Sequence, residues 1–460
     1  MANIDDVKTP AFLSARRTTN QTIPGGHTWN NVCIIMNSSE GTGIAYDENT
    51  GIFALEGAKT YRITAQLGWE SRARCLYTIP NVFIFRLVNL KTGEHIGPCA
   101  EAQGPSSPYI DAKASSGFLD VIYTPLVTGH YCLKTDTTAS IDPTYSIRAD
   151  VSTYLNITEL TNGGKLAYLS ARRSTPQIIE TGTWATRVVN ILESEVKAYG
   201  MTFSSDGYFV LQGGVTYRIT AQLGWEATSL EWYAFGLFDS AGKQIGPAAE
   251  ALARDLGTWN VSGGVLDVIH TPEQDGKYAL RVAPGVKAGP TSRIRADVGT
   301  FLNIISLTGT RTQGYAVMRL SEDQHIPEGR TWASENVKLN QLTTNSDIIV
   351  TPDGMFSLLG GITYRITAQL GWKTKQFSDE YSVKFYAFGL FHEETCAYIG
   401  PQAEVLEREM RTGNTPCGVL DVIFTPQNTG WYYLKIAKSV DAGWNKVMRA
   451  GDTFMNIVIL

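Results

Sequence analysis

Charge is scarce in this 460-residue sequence: only 18% of residues are Asp, Glu, Lys or Arg, and the formal net charge is −5. With a pI near 5.8 the chain lacks the basic footprint that nucleic-acid binding requires, so no nucleic-acid partner is expected. No apolar run reaches membrane-spanning length, which predicts no membrane insertion. The opening MANIDDVKTP has neither a basic start nor an apolar stretch, which predicts no secretory signal and synthesis in a cytoplasm.

Catalytic vocabulary is missing too. There is no Gly-x-Ser-x-Gly elbow, no His-Glu-x-x-His, no Gly-x-x-x-x-Gly-Lys-[Ser/Thr] loop and no Cys-x-x-Cys pair. The six histidines do not recur at aligned positions: His130 aligns with Lys277 and Trp431, and His270 with Tyr123 and Phe424. These absences predict a protein that is not an enzyme, with no cofactor and no metal. Without a secretory signal the sequons at Asn20, Asn37, Asn156 and Asn260 carry little meaning.

Cysteine is sparse and unevenly placed. Cys33, Cys75, Cys99 and Cys132 lie in the first third of the chain, Cys396 and Cys417 in the last, and none between. Cys99 aligns with Ala248 and Gln402, and Cys132 with Ala279 and Tyr433. A bridge essential to the fold would recur, so free structural thiols are expected. A private Cys99–Cys132 or Cys396–Cys417 bridge is the alternative.

What is present is repetition. YRITAQLGW occurs letter for letter from Tyr61, Tyr217 and Tyr364. Before each copy stands Phe-x-Leu-x-Gly, at Phe53, Phe209 and Phe356; after it come IGP at Ile96, Ile245 and Ile399, with a glutamate at Glu101, Glu250 and Glu404. LDVI-x-TP follows from Leu119, Leu266 and Leu420, then Gly-x-Tyr at Gly129, Gly276 and Gly430. An Arg-Ala pair at Arg148, Arg295 and Arg449 and an Asn-Ile pair at Asn156, Asn303 and Asn456 close each unit. The chain therefore divides into three repeats, 1–161, 162–309 and 310–460, each long enough to own a core. The joints, Thr161–Lys165 and Thr308–Gly314, are short and rich in glycine and polar residues.

Within a repeat the period is two. Tyr61, Ile63, Ala65, Leu67 and Trp69 fall on one face of a strand, and Arg62, Thr64, Gln66 and Gly68 on the other. WYAFGLF from Trp232 and FYAFGLF from Phe385 read as aromatic strands. Many short strands punctuated by Gly, Pro and Asn, with no long 3.6-residue period, predict an all-β sandwich or jelly roll with little helix.

AFLSARR from Ala11, AYLSARR from Ala167, the Phe-x-Leu-x-Gly-x-x-x-Tyr entry and SSGFLDVIYTP…GHYCLK together resemble the tumour necrosis factor/complement globular-head jelly roll. The resemblance spans each repeat. It implies a ten-stranded sandwich that packs as a threefold trimer, here tied into one chain as an intramolecular pseudo-trimer. Some members of that family bind calcium at the trimer top, which would draw on Glu101, Glu250 and Glu404; no dense oxygen-ligand loop is present, so no metal is expected.

The pseudo-trimer gives the repeated polar face a role. Arg62, Thr64, Gln66, Arg218, Thr220, Gln222, Arg365, Thr367 and Gln369 are expected at a pseudo-threefold interface, where they would satisfy one another. Ordinary core retained since a recent duplication is the competing account. Asp120, Asp267 and Asp421 sit in apolar strands and need partners, either from Arg62, Arg218 and Arg365 or from Arg148, Arg295 and Arg449. Trp29, Trp184 and Trp332, each after a threonine, read as packing anchors rather than sugar platforms.

Segments after the shared glutamates and tryptophans differ among the repeats, so one framework presents three unlike surfaces. The expected function is a structural component of a virion: a surface, cement or capsid-capping protein whose partners are other structural proteins such as a trimeric capsomer. Its expected place is the virion surface after assembly in a host cytoplasm. A receptor- or glycan-binding module of adhesin or toxin type, cytoplasmic or released without a signal peptide, is the alternative.

Overall fold

The structure is a computed structural model that describes residues 11–24, 33–71, 82–103, 112–115, 118–137, 144–149, 153–160, 167–173, 175–178, 188–192, 195–227, 231–253, 259–282, 293–296, 300–307, 314–326, 336–344, 346–374, 384–407, 414–415, 419–439 and 446–460. Among these the protein is all-β, with no helix, and its strands pair antiparallel into several sheets. The tryptophans Trp29, Trp184 and Trp332 lie outside the described residues, as do most of both joints.

The second repeat shows the plan. Its principal strands are β1 (Tyr168–Arg172), β2 (Phe209–Leu211), β3 (Tyr217–Ala227), β4 (Glu231–Asp239), β5 (Gln244–Ala253), β6 (Trp259–His270), β7 (Gly276–Val282) and β8 (Phe301–Ser306). One sheet runs β1-β8-β3-β6 and the other β2-β7-β4-β5. The first and third repeats order their corresponding strands in the same way.

Three apolar clusters fill the space between these sheets, and each draws on one repeat alone. In the second repeat Ile219, Ala221, Leu223 and Trp225 of β3 meet Phe235, Leu237, Leu280 and Val282 from the facing sheet. That is the apolar parity of YRITAQLGW turned inward, and it is why the motif must be a strand and not a helix.

Two other landmarks have local causes. Tyr61, Tyr217 and Tyr364 each accept, through the phenol oxygen, the backbone N–H of Glu56, Gln212 and Leu359, which pins the turn before the strand. The glycines of IGP, Gly97, Gly246 and Gly400, all hold a positive φ of 70° to 79°. A β-carbon on them would stand 2.5, 2.8 and 3.0 Å from a methyl of Val121, Val268 and Val422 in LDVI.

Cys33 and Cys132 are joined in a disulfide across a sequence separation of 99 residues, while Cys99, buried, and Cys396, exposed, stand outside that bridge. This corrects the expectation of free thiols throughout, and neither alternative bridge is the one formed. Cys33 sits beside the strand Gly129–Thr137 through a bridge to Lys134, a place taken by Val188 and Asn336 in the other repeats. The bond is private to the first repeat, so recurrence could not reveal it. Cys75 and Cys417 lie outside the described residues.

Candidate functional site: a ring of arginine, aspartate and threonine

The outward face of the repeated strand is also buried. Arg62, Arg218, Arg365, Asp120, Asp267, Asp421, Thr64, Thr220 and Thr367 are at most 3% exposed. Register explains how each set is assembled. Thr64 lies opposite Asp120 on one neighbouring strand and Asn156 on the other; Thr220 lies between Asp267 and Asn303, and Thr367 between Asp421 and Asn456.

Each arginine then grips the aspartate of its own repeat with two bonds. Arg62 donates through Nε to Asp120 Oδ1 at 2.9 Å and through Nη2 to Oδ2. Arg218 donates to Asp267 at 3.0 and 2.7 Å, and Arg365 to Asp421 at 3.0 and 2.7 Å. This fork geometry is the strongest way to pair a buried carboxylate. The aspartates therefore take the strand arginines and not the Arg148, Arg295 and Arg449 set. Arg148 is buried, whereas Arg295, just past the end of the two-residue strand Arg293–Ile294, is half-buried; this corrects its expected burial. The side chain of Arg449 lies outside the described residues, as do those of Glu101, Glu250 and Glu404.

The remaining bonds cross from repeat to repeat. Arg62 Nη2 donates to Thr220 Oγ1 at 3.1 Å, and that hydroxyl donates to Asp120 Oδ2 at 2.8 Å. Arg218 donates to Thr367 at 2.8 Å, which donates to Asp267 at 2.7 Å. Arg365 donates to Thr64 at 2.8 Å, which donates to Asp421 at 2.7 Å. Asparagine amides follow the same order: Asn303 to the Asp120 carbonyl at 2.9 Å, Asn456 to that of Asp267 at 3.1 Å, and Asn156 to that of Asp421 at 2.9 Å. First to second, second to third and third to first, the chain of bonds closes on itself.

No family model matches this sequence, and no curated protein does. A solved structure of PNGF-II is similar at 8% identity and a TM-score of 0.20, over 87% of this chain and 99% of that one. A likeness at that level carries no argument about fold or function.

Next along the strand stand Gln66, Gln222 and Gln369, each buried and opposite Tyr154, Phe301 and Phe454 respectively. Beside them an apolar cluster gathers Phe118 and Tyr154 of the first repeat, Val265 and Phe301 of the second and Val419 of the third. The polar ring is thus plugged by contacts among all three repeats.

Electrostatically the ring balances three cations against three anions. Burial by itself would raise the carboxyl of Asp421, but Arg365 outweighs it, together with the Thr64 hydroxyl, and holds that carboxyl down at about 2. Asp267 is lowered in the same way by Arg218 against burial. Sealed from water and paired with one another, these groups can lock neighbouring strands in register; they cannot reach a substrate. Among the described residues no His, Cys, Asp and Glu group has metal-binding geometry.

Sequence reasoning named the arginine, threonine and aspartate sets. It treated Asn156, Asn303 and Asn456 only as landmarks and missed Thr153, Thr300 and Thr453, whose hydroxyls accept the N–H of Gly68, Gly224 and Gly371 at 2.9 to 3.0 Å. Recurrence inside a buried strand was the available signal for the asparagines.

Proposed function

We propose that the chain is a non-enzymatic structural protein in which three jelly-roll sandwiches close around a pseudo-threefold axis, serving as a virion surface, cement or capsid-capping component. The observation that carries this reading is the cyclic set of buried hydrogen bonds, in which each repeat completes the ion pair of the one before it. The strand orders β1-β8-β3-β6 and β2-β7-β4-β5 support the jelly roll, and with it the resemblance to the tumour necrosis factor/complement-head family.

A fused trimer keeps the shape of a threefold capsomer while offering unlike exteriors, which suits a seat where neighbours differ. Its partners on this reading are other structural proteins, and its place is the virion surface after assembly in a host cytoplasm. Expressed during infection, the protein is expected to sediment with particles and be released by mild denaturant. Recovery only in the soluble fraction, together with a glycan-array signal, would sink the reading.

A further inference from the structure

Three junctions make up the ring, and they are not equally built. The first-to-second and second-to-third junctions are also crossed by the chain itself; the third-to-first junction is held by contacts alone. All three share the arginine, aspartate, threonine and asparagine bonds. Differences lie in what flanks them.

Beside the ring at the second-to-third junction is an apolar patch, in which Ile269 and Leu307 meet Tyr315, Val317 and Val458. Register aligns the corresponding residues: Tyr315 faces Val458, Tyr168 faces Ile305, and Phe12 faces Thr158. At the first-to-second junction the set is Ile122, Leu160, Tyr168, Ser170 and Ile305, and the one polar member is satisfied, since Ser170 Oγ donates to Asn303 Oδ1 at 2.7 Å. At the third-to-first junction it is Ile423, Leu460, Phe12, Ser14 and Thr158. There Thr158 is 3% exposed, and its hydroxyl has no hydrogen-bond partner among the described residues. A buried hydroxyl left unmade opposes burial.

A second contact fails at the same place. Arg172 Nη1 donates to the Gly97 carbonyl at 2.8 Å across the first-to-second junction. Arg319 Nη2 lies 3.2 Å from where a β-carbon on Gly246 would stand, across the second-to-third. Their counterpart, Arg16, is exposed.

We infer that the ring is a latch, built to open between the third and first repeats while the other two junctions stay closed. The device rests on the closed-ring reading above: two covalently tethered junctions, one sealed by an apolar cluster and one with its serine satisfied, act as hinges, and the untethered one with the unmade hydroxyl is where the molecule parts. Opening there exposes the Asp421 and Thr64 surfaces without unfolding any sandwich, because each sandwich keeps its own core.

Native-state hydrogen exchange on the intact chain, read by mass spectrometry, tests this. Leu420–Phe424 pairs with its own sheet on one side only, so its outward amides are expected to exchange at least about tenfold faster than those of the corresponding edge strands, Leu119–Tyr123 at the first-to-second junction and residues 266–270 at the second-to-third. Thr158→Val, which removes the unmade hydroxyl, should slow the fast set by about tenfold. The reverse change, Val458→Thr, should move fast exchange to the second-to-third junction. Equal rates at all three junctions with strong protection, or no response to either variant, overturn the latch and leave the ring standing. Uniformly weak protection along all three overturns the closed ring itself.

Discussion

A buried arginine is tolerated here because every one of its neighbours answers it. Removing one side chain leaves a carboxylate and a hydroxyl without their donor inside a sealed layer, so Arg218→Ala is expected to destabilise by on the order of 3–5 kcal/mol. The second repeat is the cleanest background, since it holds no cysteine. A denaturation midpoint within error of the parent's would return the strand's threefold identity to recent duplication alone. Acid should attack the same layer. Asp421 is held at about 2, below the ordinary value near 3.9 of an unfolded chain, so its contribution is complete above about pH 4 and is lost as pH falls through 2. The expected loss is on the order of 2–3 kcal/mol for that residue, seen as a falling urea midpoint between pH 4 and 2. A midpoint flat across that window would mean that Asp421 titrates alike folded and unfolded.

At the scale of elements, period-two parity and threefold recurrence made the strands and their inward face legible, and identity on the outward face marked Arg62, Thr64 and their counterparts as special. Which arginine set serves the aspartates was not legible, because it depends on which strands lie beside the repeated one and in what register. Thr220 meets Asp267 only after β6 has returned to lie against β3. The Cys33–Cys132 bond was hidden for a related reason: recurrence reveals shared features, and this one belongs to a single repeat. Closing a loop of 99 residues, it should contribute about 2–4 kcal/mol to the first repeat, lost on reduction. Peptide mapping of unreduced protein should find the two cysteines linked, and their recovery as separate thiols would contradict the assignment. IGP makes a parallel case. Gly246→Ala forces a β-carbon against Val268 at a positive φ, and is expected to destabilise by more than the about 1 kcal/mol typical of a glycine replacement that fits.

For the whole molecule, closure sets the dimensions. A compact 460-residue chain should have a radius of gyration of roughly 23 Å. Small-angle scattering showing a rod of three separated bodies would dismiss the ring and keep the repeats. Closure also fixes an order of events for one small chemical group. Asn156-Ile157-Thr158 is an acceptor sequence for an N-linked sugar, yet in the closed ring Asn156 Nδ2 is spent on the Asp421 carbonyl, 2.9 Å away across the junction of third and first repeats. An oligosaccharide could be attached there only while the first repeat stood apart from the third, and once attached it would wedge them apart. Directed through a secretory pathway, the chain is therefore expected to yield two populations, an unmodified closed form and a glycosylated open form, separable by size and by the mass of the Asn156 peptide. The buried amide would make the protein a recorder of the compartment in which it folded.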